Sequence, residues 1–446
     1  MFCKRTLVAA CFAVLVAPCL WVPAQAQSFK VIHSFTGGAD GGNPWEGLTM
    51  DSSGRFYGTT NTGGGSGYGT VYQLKHESSR WVVRTLHSFA GAPNDGSGPY
   101  AGVVIGANGS LIGSTGTGGD GLCQFEPVQR GMGCGTIFEL RNSKSGWRET
   151  VLYSFQGGPG DQGGSSDGGE PSGALALDSA GNIYGTTAFG GSVAGCFDYC
   201  GIVFKLAHSA HGWSESVLHD FGSGNDGGAP YGGVVMDKAG NLYGPTVLTG
   251  NNGAGPPPTG TIFQLVPTAG NWTESVLYSF QNGADGANPV AGLIFDQTGN
   301  LYSASVNGGP DGGGVAFELS PSSGNWNFSE LYDFTKTGNS TPYECTNCYG
   351  PVGRLLMDSS GNLYGTAYAT GAYGYGSVFK LSPSAGGWTY TSLHDFTGGT
   401  DGSNPRATLV FDGKGNLYGT AVYGGGTGCG GTGVPTGCGV VFMIVP

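Results

Sequence analysis

The heptapeptide GNLYGTA occupies residues 361–367 and recurs letter for letter at 415–421. Both copies belong to a wider pattern, apolar-x-D-x-x-G-N-L-Y-G, centred on Tyr57, Ile112, Tyr184, Tyr243, Tyr302, Tyr364 and Tyr418 at a spacing of about 60. Two more anchors recur in step. An [HY]-[SD]-F triplet ends at Phe35, Phe89, Phe155, Phe221, Phe280, Phe334 and Phe396. A G-x-[VI]-[FY]-x-L string surrounds Tyr72, Phe138, Phe204, Phe263, Phe379 and Phe442, with a looser copy at Phe317. Sevenfold self-similarity restricts the chain to one repeat architecture.

Trp81, Trp147, Trp213, Trp272, Trp326 and Trp388 each stand eight residues before the triplet phenylalanine. Counting back eight from Phe35 reaches Gln27, so the chain starts in the middle of a repeat. Every unit holds four short apolar, β-branched or aromatic runs bounded by turn residues, such as GGVVMD, NLYGPT, GTIFQL and TESVLYSF. The fold expected is all-β: a seven-bladed β-propeller of four-stranded antiparallel blades. Its last blade is closed by the N-terminal strand FKVIHSF. In the D-x-x-G-N turns the aspartate is expected to accept turn amides while glycine takes a positive φ.

Ahead of the repeats, Lys4 and Arg5 precede an apolar run ending in Ala24-Gln25-Ala26, the form of a signal peptide. Residues 1–26 are therefore assigned to a signal peptide, and 27–446 to a single propeller in a secreted or periplasmic protein. Cleavage leaves eight of eleven cysteines, in close pairs: Cys123/Cys134, Cys196/Cys200, Cys345/Cys348 and Cys429/Cys438. An even count behind a signal peptide reads as four local disulfides. The chain carries a net charge of −12 with only 18 Lys and Arg, which argues against nucleic acid as a partner. No membrane span is expected after cleavage, and a monomer is expected.

The string F-x-G-G-x-D-G-x-x-P-x-A-G-L-x-x-D-x-x-G-N-L-Y-G-T stands nearly complete at 279–305 and 395–421. It resembles the GloVer tandem repeat of secreted bacterial proteins, across essentially the whole mature chain. The resemblance implies an extracytoplasmic repeat domain and no particular activity. Members often carry a C-terminal surface anchor; here the last strand runs directly to Pro446, so covalent attachment at the C-terminus is not expected.

Alternating strand directions send the long Gly-rich loops and all eight cysteines to one face, where a rigid scaffold usually carries its site. The links between blades end in proline, and the next residue should enter the innermost strand at the mouth of the central channel. Those residues are Trp45, Tyr100, Ser172, Tyr231, Val290, Val352 and Arg406, which differ where almost everything else repeats. Trp45, Glu46, Tyr100, Tyr231 and Arg406 are the candidate ligand-binding residues. Aromatics with one acid and one base suit a stacked sugar or peptide, while a plug of packed side chains is the competing expectation.

Other groups are assigned structural roles. His33, His87, His219 and His394 alternate with Tyr153, Tyr278 and Tyr332 at one position, so packing is expected there rather than metal binding. The series Asp40, Asp95, Asp167, Asp226, Asp285 and Asp401 is read as turn caps. No metal site, cofactor or catalytic residue is implied. The function expected is a non-catalytic module binding carbohydrate or extracellular protein at the loop-rich face. The alternative is a carbohydrate-active hydrolase or lyase drawing two acids from Glu46, Asp120, Glu126, Asp161, Asp198 and Glu344.

Overall fold

The structure is a computed structural model and describes residues 27–123, 133–156, 167–191, 200–248, 259–337, 348–426, 428–429 and 436–445. Seven four-stranded antiparallel sheets stand in a ring, and no helix occurs among the described residues. Blade 1 runs outward through Thr49–Met50, Phe56–Thr60, Thr70–Glu77 and Arg80–Ser88. Blades 2 to 6 repeat that order. Blade 7 joins Val410–Phe411, Leu417–Ala421 and Val440–Val445 to the N-terminal strand Ser28–Ser34. Its closing pairs run from Ser28 opposite Val445 to Ser34 opposite Val440.

The recurring aromatics hold the blades together. In each seam the triplet phenylalanine meets, edge to face, the third-strand aromatic of the next blade. Phe89 lies 5.2 Å from Phe138, Phe221 5.0 Å from Phe263 and Phe334 4.9 Å from Phe379. Phe396 meets Phe442 at 5.5 Å and Phe35 meets Tyr72 at 5.2 Å, which closes the ring at blade 7. Each such pair contributes about 0.5–1.5 kcal/mol beyond the burial of its area. The tryptophans also cross seams: Trp147 reaches Tyr57, and Trp81 reaches Tyr418.

The fourth strand carries a bulge in every blade. Ile32, Leu86, Leu152, Leu218, Leu277, Leu331 and Leu393 are skipped in the pairing register. All seven pack against the blade cores. A bulge lets one strand supply an extra inward side chain and bend along the rim.

The D-x-x-G-N turn works as expected and does more. One Asp358 oxygen accepts the amides of Ser360 and Asn362, while the other accepts the Asn362 side chain and the Tyr364 hydroxyl. Gly361 takes φ +78°. Blade 2 has Gly106 in place of this aspartate, and Ile112 in place of its tyrosine partner. The pair is lost together.

The innermost strands are shorter than the sequence runs suggest, two residues each. Close to the axis neighbouring blades nearly touch: a Cβ on Gly47 would fall 2.0 Å from the Thr408 carbonyl oxygen. Hydroxyls bond across these contacts, Thr59 to the Ala101 carbonyl and Thr366 to that of Ala407.

Candidate binding site at the channel mouth

The loops leading into the innermost strands set the residues of the mouth. Trp45 leads into blade 1, Tyr100 into blade 2 and Arg406 into blade 7, and ring closure makes these blades consecutive. The Trp45 and Tyr100 rings lie 4.8 Å apart, tilted by 57°. The Arg406 guanidinium stands 4.4 Å from the Trp45 ring centre and 5.8 Å from that of Tyr368. Arg406 Nη1 is buried with no hydrogen-bond partner.

Two of the remaining candidates lie apart from this stack in role or place. Glu46 makes no ion pair with Arg406. Its Oε1 accepts the Gly47 amide at 3.0 Å, the Thr408 amide at 3.2 Å and the Thr408 hydroxyl at 2.9 Å, which ties blade 1 to blade 7. Tyr231 leads into blade 4, on the far side of the ring. On that side Val306, Tyr349, Tyr368 and Ala369 form an apolar cluster with Val290 and Val352 against it. The mouth is thus packed shut beside blades 5 and 6, while an aromatic and charged wall stands on blades 7, 1 and 2.

The sequence reading passed over Glu170. It holds φ +56° just before Pro171, at the position of Asn43, Asn288 and Asn404. Those asparagines donate to carbonyls of the preceding blade, Asn43 to Val422 at 3.1 Å and Asn288 to Val247 at 2.9 Å. Glu170 is the acid of that series. A Cβ on Gly116 would lie 2.3 Å from the Tyr100 ring and 3.4 Å from Glu170 Cγ, so both side chains share the floor that Gly116 leaves open. Desolvation pushes the Glu170 carboxyl up to about 8. Its surface is only partly covered, the combination expected of a group lining a channel enclosed by protein. The signal available in sequence was one acid where the other six links carry Asn, Gly or Ala.

The His/Tyr and Asp series, treated separately from sequence, are partners. His33, His87, His219 and His394 bond Asp40, Asp95, Asp226 and Asp401, while Tyr153 and Tyr278 donate to Asp167 and Asp285. The same aspartates cap the turn: Asp95 accepts the amides of Ala90 and Gly96. Burial holds His33 and His394 below the ordinary histidine range, against the pull of Asp40 and Asp401. His87, Asp95 and Glu149 bring their ligand atoms within 4.8 Å of one another. Glu215 sits in the same place beside Tyr153 and Asp167. A carboxyl that faces histidine in one seam and tyrosine in the next does not repeat a set of metal ligands from blade to blade.

Elsewhere, Cys123–Cys134 and Cys429–Cys438 are bridged. Cys200 and Cys348 are also disulfide-bonded, and their expected partners Cys196 and Cys345 lie outside the described residues. Glu126, Asp161, Asp198 and Glu344 lie outside them as well. Asp120 accepts from Gln156 at the surface. A cavity of about 510 Å³ on the opposite face is lined by Arg55, Lys75, Arg84, Lys144 and Trp147. Arg55 and Lys75 are already paired there with Asp51 and Glu77.

The Gloeobacter/Verrucomicrobia repeat matches residues 21–192, 128–350 and 259–444, three overlapping stretches spanning all seven blades. The chain belongs to that repeat family. Among curated proteins there is no significant match. Solved structures resemble this Gloeobacter/Verrucomicrobia repeat protein only loosely. A hypothetical selenium-binding protein from Sulfolobus tokodaii is 11% identical, with TM-score 0.48, over 76% of this chain and 75% of that one. A provisionally named 6-phosphogluconolactonase from Bacteroides fragilis is 14% identical, with TM-score 0.47, over 84% and 88%. A protein of unknown function from Dyadobacter fermentans is 12% identical, with TM-score 0.46, over 78% and 96%. Likenesses at this level decide nothing about function. The disulfides are compatible with an extracellular protein, and no helix among the described residues is long and apolar enough to cross a membrane.

Proposed function

We propose that the protein is an exported, non-catalytic propeller that holds a saccharide at its channel mouth. The observation that carries this reading is the Trp45–Tyr100 pair with Arg406 over Trp45, a half-buried aromatic wall at the axis of a rigid ring. Aromatic faces stack against the apolar faces of sugar rings, and convergent polar groups fix orientation. Export rests on the N-terminal segment and the disulfides. The test is a glycan-array screen followed by calorimetric titration of the wild type and a Trp45→Ala/Tyr100→Ala variant. Binding by the wild type that the folded variant loses supports the reading; equal binding by both overturns it.

A hydrolase or lyase is the second reading, and Glu170 is what favours it. A carboxyl near 8 is protonated at neutral pH, as a general acid must be. A glycosidase also needs a second free carboxylate. Glu46, which follows Trp45 in the chain, gives its Oε1 to Gly47 and Thr408. Product formation from a bound oligosaccharide, lost in Glu170→Gln, would replace the first reading by the second.

A further inference from the structure

We infer that the ligand of the channel mouth is an acidic sugar, its carboxylate received by Arg406 at one end of the aromatic wall while Glu170 donates to the sugar at the other. This rests on the saccharide reading above and narrows it to uronate-type residues.

The first observation is the state of Arg406. Its guanidinium is held over Trp45 and near Tyr368, and Nη1 is buried with no hydrogen-bond partner. No carboxylate among the described residues makes an ion pair with it. The acid nearest in sequence, Glu46, is spent on Thr408. A buried N–H left without an acceptor is unfavourable unless something arrives to pair with it. Cation–π contact orients the group but leaves its N–H edge free. What an arginine N–H edge fits best is a planar carboxylate.

Glu170 supplies the second contact. It lies beside Tyr100 on the Gly116 floor, the side of the aromatic wall away from Arg406. An ionised acid there would repel an anionic ligand. Desolvation keeps the carboxyl protonated up to about 8, so below that pH it donates a hydrogen bond. Asn43 and Asn404, at the same position ahead of blades 1 and 7, also donate, but to backbone carbonyls. A single cation and one neutral acid match a monoanion. A phosphate dianion would call for more positive charge than this wall holds.

The inference predicts selectivity, a charge dependence and a pH dependence. Calorimetric titration compares a galacturonate or glucuronate trisaccharide with the same trisaccharide reduced to its neutral sugar. At about pH 6.5 the acidic form is expected to bind roughly tenfold or more tightly. Arg406→Gln should remove that preference, so that the acidic and the neutral trisaccharide bind alike. Raising the pH to about 9.5 should weaken the acidic sugar in the wild type but not in Glu170→Gln, which keeps a donor and cannot ionise. Unchanged melting of both variants shows that the ring has survived. Equal affinity for the two sugars, or no effect of Arg406→Gln, overturns the inference while leaving the saccharide reading standing. Tighter binding of an acidic peptide than of either sugar overturns both.

Discussion

The ring of Phe29 lies flat on that of His394, with centroids 3.6 Å apart and planes 7° from parallel. Phe29 is in the N-terminal strand and His394 in blade 6, so that strand is clamped by a blade made near the end of the chain. The same strand fills the outer edge of blade 7, and Gln27 donates to the Leu393 carbonyl. Deleting residues 27–36 is expected to leave the Val440–Val445 strand as a bare edge and open the blade 7 to blade 1 seam. Size-exclusion chromatography and calorimetry should show association and a lower melting temperature. A monomeric deletion variant with wild-type melting would contradict closure by this strand.

Glu149 and Glu215 make stability depend on pH in an unusual direction. Each lies in a seam against the preceding blade, with its Oε1 buried and without a partner. Desolvation, then repulsion from Asp95 and from Asp167 and Asp220 respectively, pushes both carboxyls from 4.5 up to about 7; His87 opposes this at Glu149. A folded value above the unfolded one gives stability that is full below about 4.5 and lost as pH rises through about 7. The turn aspartates act oppositely. Asp51, Asp178, Asp296, Asp358 and Asp412 sit below 3.8, so their contribution is present above that value and lost in acid. Melting temperature should peak between these limits, on the acidic side of neutrality. Glu149→Gln should raise stability at about pH 8 by on the order of 1 kcal/mol after solvent screening, and leave it unchanged at about pH 5. A flat profile between those two pH values would refute the assignment.

The sequence showed the blades plainly because each blade solves the same packing problem with the same letters. Phe35, Tyr72, Trp81 and the D-x-x-G-N turn could be placed on their strands by counting alone. What crosses a seam was harder to see. The carboxyl of Glu149 faces His87 in the preceding blade, some 60 residues away, and its equivalents in later blades are Phe328 and Tyr390, which stack on Tyr278 and Tyr332. One position therefore sets an acid or an aromatic against the histidine or tyrosine of the preceding blade, a contact that counting along the chain does not show. The mouth was legible at Trp45, Tyr100 and Arg406 because those residues break the repeat. Glu46 breaks it too, yet serves the blade junction, and Glu170 was hidden by its place before proline, where small and polar residues already vary.

The Cys429–Cys438 bridge is placed to secure closure. A Cβ on Gly37, just beyond the N-terminal strand, would fall 2.5 Å from Cys429 Sγ and 2.9 Å from Cys438 Sγ, and Gly37 holds φ +73°. The bridge therefore packs directly on the turn that leaves blade 7. Replacing both cysteines by serine should destabilise by about 2 kcal/mol, with Gly37→Ala lowering stability through strain and clash. Peptide mapping without reductant should recover 123–134 and 429–438. Recovery of a cysteine from one pair bound to the other would sink the local scheme.

Glu46 and the aromatic wall stand a few residues apart but should respond to mutation in opposite ways. Glu46 accepts three hydrogen bonds, two of them from Thr408 across the last seam, where blade 1 meets blade 7. Glu46→Ala leaves two amides and a hydroxyl without an acceptor and should destabilise by about 1–3 kcal/mol, with little change in ligand affinity once folded. Trp45 and Tyr100 are only half-buried; their rings meet, and Arg406 lies over Trp45. Trp45→Ala with Tyr100→Ala should therefore leave melting nearly unchanged and abolish saccharide binding, since each stacked ring contributes on the order of 1 kcal/mol beyond its buried area. A packed plug at this side of the mouth predicts the reverse, a large loss of stability and no specific loss of binding. Thermal melts and titrations on the two variants side by side decide between them.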